Sequence, residues 1–279
     1  MVEVQATEGK GLEDGLRAEA GAERRKKIIM KIDLEGTKRW FEGYLQGFEL
    51  SDPMLEMKHL HSYEVMKLGE RLTAALGWDE DRSRVGVAAS LLHDIGRFSQ
   101  YRDFKTYHDG DSIDHGDRGA AVLEAEFPRT LADSEAREAI IEAVRWHNKK
   151  ELPELDEAVA PFCLLVRDAD KLDVFKLVQR CIDEDRVEEL LPRHKPGEPL
   201  SEVLLEEVER TGKGSYKNAA SLLDYLLIQL SWVGDMNFVP SLRLLKQSGV
   251  LESIFEHFPM DDARVASLLD RLTAPCRSA

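Results

Sequence analysis

The stretch Val85–Ser99, VGVAASLLHDIGRFS, carries Val85, Ala88, Ala89, Leu91 and Leu92 at helical spacing and then delivers an adjacent His93–Asp94 pair, followed by Gly96 and Arg97. A buried helix has little reason to end on two residues so costly to desolvate. A divalent cation supplies one, because imidazole and carboxylate together suit a borderline or hard metal ion. Further residues of ligand type recur at helix ends or on apolar faces. His61 opens the face that continues with Val65 and Leu68, and His115 begins a helix after a polar stretch. His147 ends an apolar run in Trp146-His147-Asn148, and Asp170 lies in RDADKLD inside the run Phe162, Leu165, Val166, Ala169 and Leu172. Singly, each has a commonplace explanation as a surface or hydrogen-bonded residue. His59, His108, His194 and His257 are read that way, His108 also being a candidate substrate contact, and Asp173 is read as a solvated helix charge. Order and context set the others apart, since helix bundles build metal sites from side chains projected inward by facing helices.

The elements that must position them are helical almost throughout. Glu35–Phe48 carries Trp40, Phe41, Tyr44, Leu45 and Phe48 on one face, and Ser51-Asp52-Pro53 breaks it. Lys58–Leu76 follows, stopped by Gly77; a helix starting at Asp79 or Asp81 ends in His93-Asp94. Gln100–Asp114 reads as a loop, in which Tyr101, Arg102, Lys105 and Tyr107 are candidate pocket or lid residues. Helices are expected over His115–Phe127, from an Asp133 or Ser134 cap to His147, and from Pro161 towards Val178. Beyond Glu188 the helical segments are Ser201–Thr211, Ser215–Val233, Pro240–Lys246, Val250–Phe258 and Asp261–Leu272, with a turn at Trp232–Asn237. Gly212-Lys213-Gly214 lacks the preceding strand and spacing of a phosphate loop. The fold class is all-α, divided into a tail and packing helix (1–53), a metal-binding core (54–182) and a C-terminal helical extension packed on it (183–279).

Composition narrows the partners. The 279 residues hold 38 basic and 53 acidic side chains, a formal charge of −15. That excludes a general nucleic-acid binder, which shows a basic footprint, and an anionic substrate needs local help from a metal or from Arg and Lys. The row Arg24–Lys27 belongs to a mixed-charge tail, Met1–Lys31. Cys163, Cys181 and Cys276 are widely spaced core thiols, consistent with a reducing compartment. No apolar run approaches the roughly 18 residues of a membrane span, and the N-terminus has no apolar signal core. The expectation is a soluble cytoplasmic protein without membrane contact, with a homodimer through the C-terminal helices left open.

The ordered set His61, His93-Asp94, His115, His147 and Asp170, in the contexts LLHDIGRF, DHGDRGAAVL, VRWHN and DADKLD, resembles the HD-domain superfamily of metal-dependent phosphohydrolases over roughly Met57–Val178. The resemblance implies an HD-domain helical bundle with additional C-terminal helices. It implies a first divalent ion held by His61, His93, Asp94 and Asp170, with Asp94 bridging to a second held by His115 and His147. It further implies hydrolysis of a phosphate ester of a small molecule, a nucleotide by family analogy, by a metal-activated hydroxide shared between ions about 3.5–4 Å apart. One or two ions fit, with manganese, iron, cobalt, nickel, zinc and magnesium as candidates. Arg97 stands where many members have Lys, and no Gly-Tyr-Pro follows His147, which disfavours the cyclic-di-GMP phosphodiesterase branch.

Three more roles accompany that reading. Arg97 is a candidate phosphate clamp, its planar fork suiting the task, against an ion pair with nearby acids. Lys171 adds positive potential beside Asp170 or faces solvent, and Asp168 is a candidate acceptor that orients a ligand His. Two other functions share the ligand set: a di-iron oxygenase of the same superfamily, and a nucleotide-binding sensor without turnover.

Overall fold

The computed structural model describes residues 30–191 and 197–279; the Arg24–Lys27 row and His194 lie outside the described residues. The apolar stripes fold into helices α1 (Leu34–Leu45), α2 (Pro53–Ala75), α3 (Glu80–Leu92), α4 (Ile95–Phe104), α5 (His115–Glu126), α6 (Ser134–Trp146) and α7 (Ala160–Asp183). A short α8 (Val187–Leu190) leads to α9 (Glu202–Thr211), α10 (Leu222–Ser231), α11 (Val239–Gln247), α12 (Val250–Phe255) and α13 (Ala263–Ser278). Among the described residues, extended pairing is limited to an isolated antiparallel bridge between Ile32 and Ala132. The all-α class is therefore observed.

Local chemistry sets the helix starts. Asp33, Asp52, Asp79, Asp114 and Asp133 each place a carboxylate oxygen on a first-turn backbone N–H of the helix that follows. Gly77, at φ +66°, ends the α2 chain segment in the left-handed region that an L side chain resists.

Helix α3 is the central rod. Every residue from Val85 to Leu92 is buried, and α1, α2, α6 and α7 pack around it. Its small residues permit that approach: a Cβ on Gly86 would come within 2.6 Å of Leu165 Cδ2. One apolar cluster joins α1 to α6 and the start of α7; a second joins the C-terminal helices to Val65, Leu68 and Leu72 of α2 and to Leu165, Ala169, Leu172 and Phe175 of α7. Helices α2 and α7 thus face both cores, and they carry His61 and Asp170.

Two segments differ from expectation. The loop expected over Gln100–Asp114 begins only at Lys105, because α4 runs on to Phe104; Gln100 is buried, donating from Nε2 to Asp109 Oδ1, Ser112 Oγ and the Ile113 carbonyl. The single helix expected over Ser215–Val233 is shortened at its start. Glu207 holds Ser215 and Asn218 in a 3-10 turn (Tyr216–Asn218), and a reciprocal cap between Ser221 and Asp224 starts α10 at Leu222. A further 3-10 turn spans Trp232–Asp235.

The joint between α4 and α5 is the tightest close to His115. A Cβ on Gly96 would run into the His115 carbonyl oxygen and stand 2.6 Å from Gly119 N, both backbone atoms that cannot step aside. Gly96→Ala is expected to lower unfolding free energy by about 1–3 kcal/mol, read as an earlier denaturant midpoint at an unchanged slope.

Candidate metal centre

His93 and Asp94 form the two-residue joint between α3 and α4. Asp94 occupies the N-cap position of α4 at φ −99°, ψ 17°, yet its side chain caps nothing. Both carboxylate oxygens are turned inward, and the side chain is 3% exposed. Oδ2 lies 3.6 Å from Nε2 of His61 and 3.6 Å from Nε2 of His93. Oδ1 lies 3.5 Å from Nε2 of His115 and 3.5 Å from Nε2 of His147. Asp170 Oδ1 closes the first group, 3.1 Å from His61 Nε2 and 3.5 Å from His93 Nε2. The six residues His61, His93, Asp94, His115, His147 and Asp170 are therefore brought together as two groups that share one carboxylate.

Partners on the far side of each ring fix which nitrogen faces inward. His93 Nδ1 meets the Ser90 carbonyl at 2.8 Å and His147 Nδ1 the Val144 carbonyl at 2.7 Å, each at the end of its own helix. His61 Nδ1 donates to Asp173 Oδ2 and His115 Nδ1 to Asp109 Oδ2, both at 2.6 Å. With Nδ1 carrying the proton, His115 and His147 aim bare Nε2 lone pairs at one another across 3.1 Å, and both face Asp94 Oδ1. Three lone pairs directed at one point repel unless a cation sits among them. Separations of 3.1–3.6 Å are also the edges of a coordination shell, given metal–ligand bonds of about 2.0–2.2 Å. The donor set of imidazole and carboxylate fits a divalent ion.

Charge states agree with ligation. Burial, then Arg97, pushes His115 down to about 3, and burial pushes His93 down, so both rings are neutral at neutral pH. Burial opposes ionisation of Asp94 and Asp170, but the Lys58 ammonium holds the first well below the usual carboxylate range, and the hydrogen bond from His61 holds the second there. Burial and Lys58 work against a charge on His61; its bonds to Asp170 and Asp173 outweigh them and push it up to about 9. The carboxylates that hold that proton would equally hold a metal cation.

A family model described as HD domain matches residues 60–174. This segment is an HD domain. No curated protein and no solved structure matches the chain. The matched segment spans all six clustered residues.

Around the HD-domain cluster, several expected roles change. Asp173, expected as a solvated charge, is buried and orients His61. Asp168, expected to orient a ligand His, instead accepts from the backbone N–H groups of Asn237 and Phe238 and from Asn237 Nδ2, fastening the start of α11 to α7. Arg97 Nη1 is taken by Gln100 Oε1, the Tyr107 carbonyl and Asp109 Oδ1, while its Nε lies 3.5 Å from Asp94 Oδ1. Lys171 is 12% exposed and is held by Asp235 Oδ2 at 2.6 Å. The Tyr107 hydroxyl donates to the Met54 carbonyl, and Lys58 and Arg97 both stand over its ring. His59 bonds Glu42, and His108 is a surface residue paired with Asp111.

Two neighbours escaped sequence reasoning. Lys58 Nζ donates to Asp94 Oδ2 at 2.7 Å; its position three residues before His61 on the same helix face was the available signal. Asp109 orients His115 and anchors Arg97, Gln100 and Asn148; no periodicity marks it, because it lies in a 3-10 turn. Partners that orient metal-binding imidazoles typically carry 10–100-fold of the affinity. Asp173→Ala is therefore expected to weaken divalent-ion binding by about that factor with helicity unchanged, measured by competition against a chromophoric chelator.

Proposed function

We propose that the protein is a phosphohydrolase that cleaves a phosphate ester of a small molecule, a nucleotide being the class favoured, at the His/Asp cluster. The observation that carries the reading is the division of Asp94: one buried carboxylate serves two inward-facing ligand groups, each short of a full coordination shell in protein atoms. A structural ion is enclosed by its protein ligands, whereas a catalytic one keeps positions for water and substrate. In this reading His61, His93, Asp94 and Asp170 hold a first divalent ion, and Asp94, His115 and His147 hold a second. Ions bound there supply Lewis acidity towards phosphoryl oxygens and water activated at neutral pH.

The chain's own residues do the rest. The helix-end carbonyls of Ser90 and Val144 and the carboxylates of Asp173 and Asp109 keep each imidazole in the ligating tautomer and orientation. Lys58, held 2.7 Å from Asp94 with its ammonium over the Tyr107 ring, supplies a positive point charge for a phosphoryl oxygen. Arg97 is pinned by three acceptors, so its part is to fix the Tyr107–Asp109 turn and to keep positive charge beside Asp94. Lys171 adds positive potential at the margin through Asp235. Such fixed charges act without reorganising during the reaction, which makes them effective in a dry site.

The test is reconstitution of metal-free protein with manganese, iron, cobalt, nickel, zinc and magnesium in turn, each assayed on a phosphoester panel. Asp94→Ala should lose both bound metal and turnover. Lys58→Ala should retain metal but lose about 10²–10³ in kcat, the usual cost of one preorganised charge donor. Turnover that survives removal of the metal, or iron-dependent oxygen uptake in place of hydrolysis, contradicts the proposal.

A further inference from the structure

Helix α6 delivers His147 at its C-cap, where the chain leaves the helix. The last carbonyls of a helix have no partner within it. A side chain of α7 supplies one here. Arg167 Nη1 donates to the carbonyls of Trp146 at 3.3 Å, His147 at 3.1 Å and Lys149 at 2.5 Å. The Arg167 side chain is 7% exposed, and its cation stands at the negative end of the α6 dipole.

The turn closed in this way, residues 146–149, serves one half of the cluster. His147 Nε2 faces Asp94 Oδ1 at 3.5 Å. Asn148 Nδ2 donates to Asp109 Oδ2 at 3.2 Å and to Asp114 Oδ1 at 3.1 Å. Asp109 is the acceptor that orients His115, and Asp114 caps α5, the helix that begins with His115. Lys149 Nζ pairs with Asp114 at 2.6 Å and with Asp117 at 2.9 Å. Both imidazoles on the Oδ1 side of Asp94 are thus tied to this turn. His61 and His93, on the Oδ2 side, take their orientation from Asp173 and the Ser90 carbonyl.

Arg167 is held in turn from beyond residues 60–174. Its Nη2 donates to Asp235 Oδ2 at 3.0 Å, and Asp235 closes the 3-10 turn Trp232–Asp235. One guanidinium therefore spans two elements, Nη1 towards the end of α6 and Nη2 towards the C-terminal helices. Its planar fork fixes both directions at once, which the point charge of a lysine does not.

We infer that Arg167 and Asp235 are positioning residues for the His115–His147 half of the metal centre. Through them the C-terminal extension sets the 146–149 turn, and with it the affinity for the ion between His115, His147 and Asp94. This rests on the two-ion phosphohydrolase reading, and the test reads binding apart from turnover.

Metal-free protein is titrated with manganese, the free ion followed by its EPR signal and the bound pair by exchange coupling between neighbouring ions. Wild type should take up two ions. His147→Ala should lose one of them and so marks which binding step belongs to that half. Arg167→Lys keeps the charge and loses the fork; it should weaken that same step about tenfold and the other less than about twofold, with helicity unchanged. Asp235→Ala should weaken the marked step several-fold. Asn237→Ala loosens the same segment from Asp168 while the Asp235 carboxylate stays paired, and should bind both ions as wild type does. Equal weakening of both steps in Arg167→Lys, no weakening of either, an Asn237→Ala effect as large as that of Asp235→Ala, or a wild type that binds a single ion would overturn the inference. If the marked step depends on Arg167 but wild type cleaves no phosphoester, the phosphohydrolase reading fails and the positioning role stands. If phosphoesters are cleaved and Arg167→Lys binds both ions unchanged, the positioning role fails and the phosphohydrolase reading stands.

Discussion

The structure turns on one carboxylate. Asp94 is buried among His61, His93, His115, His147, Lys58 and Arg97, and its two oxygens face different partners. A buried carboxylate at an N-cap position ordinarily satisfies itself on its own helix. Here the backbone geometry at Asp94 turns the side chain away from α4, so it must be compensated by groups from other helices. Burying an anion is tolerable only with such pairing. Every helix that brings a partner is thereby constrained in position: α2 through Lys58 and His61, α5 through His115 and α6 through His147, while Asp170 of α7 meets His61 and His93.

The close packing around the joint follows from the same constraint. Ligand nitrogens from α5 and α3 reach one carboxylate only if the backbones of α4 and α5 nearly touch, and Gly96 and Gly119 make room for that. Gly116 does the same where α5 meets the end of α6, with Asn148 Oδ1 standing 2.5 Å from where a Cβ would be. The polar turn at Asp109–Asp111 closes the structure on the other side, where Asp109 collects His115, Arg97, Gln100 and Asn148. A row of hydrogen bonds thus holds the rings from outside while the carboxylate holds them from within.

The C-terminal helices belong to the same design. Asp168, two residues before Asp170 on α7, captures the backbone at Asn237 and Phe238, and Asp235 captures Arg167 and Lys171. Polar residues beside Asp170 therefore point away from the cluster and dock the Asp235–Phe238 segment. That docking explains a stretch so rich in charge, RDADKLD, within an apolar helix: Asp170 and Asp173 serve the cluster, while Arg167, Asp168 and Lys171 hold the second half of the chain.

The helical class, most helix starts and the six clustered residues were legible in the sequence because each is a local matter: apolar periodicity, a capping Asp, a ligand-type residue at a helix end. The reach of α4 to Phe104 was not legible, because Gln100 breaks the apolar pattern and its burial rests on bonds to the turn that follows, at Asp109, Ser112 and Ile113. The roles of Asp168 and Asp173 were not legible either, since both are acids in one helix and the rotation of α7 between two cores decides that one meets His61 and the other Asn237. Lys58 and Asp109 became neighbours of the cluster only when their helix and turn were folded against it. Sequence fixes which side chains carry charge and lone pairs; the packing angles between helices, set by the contacts of both cores, decide which of those charges meet.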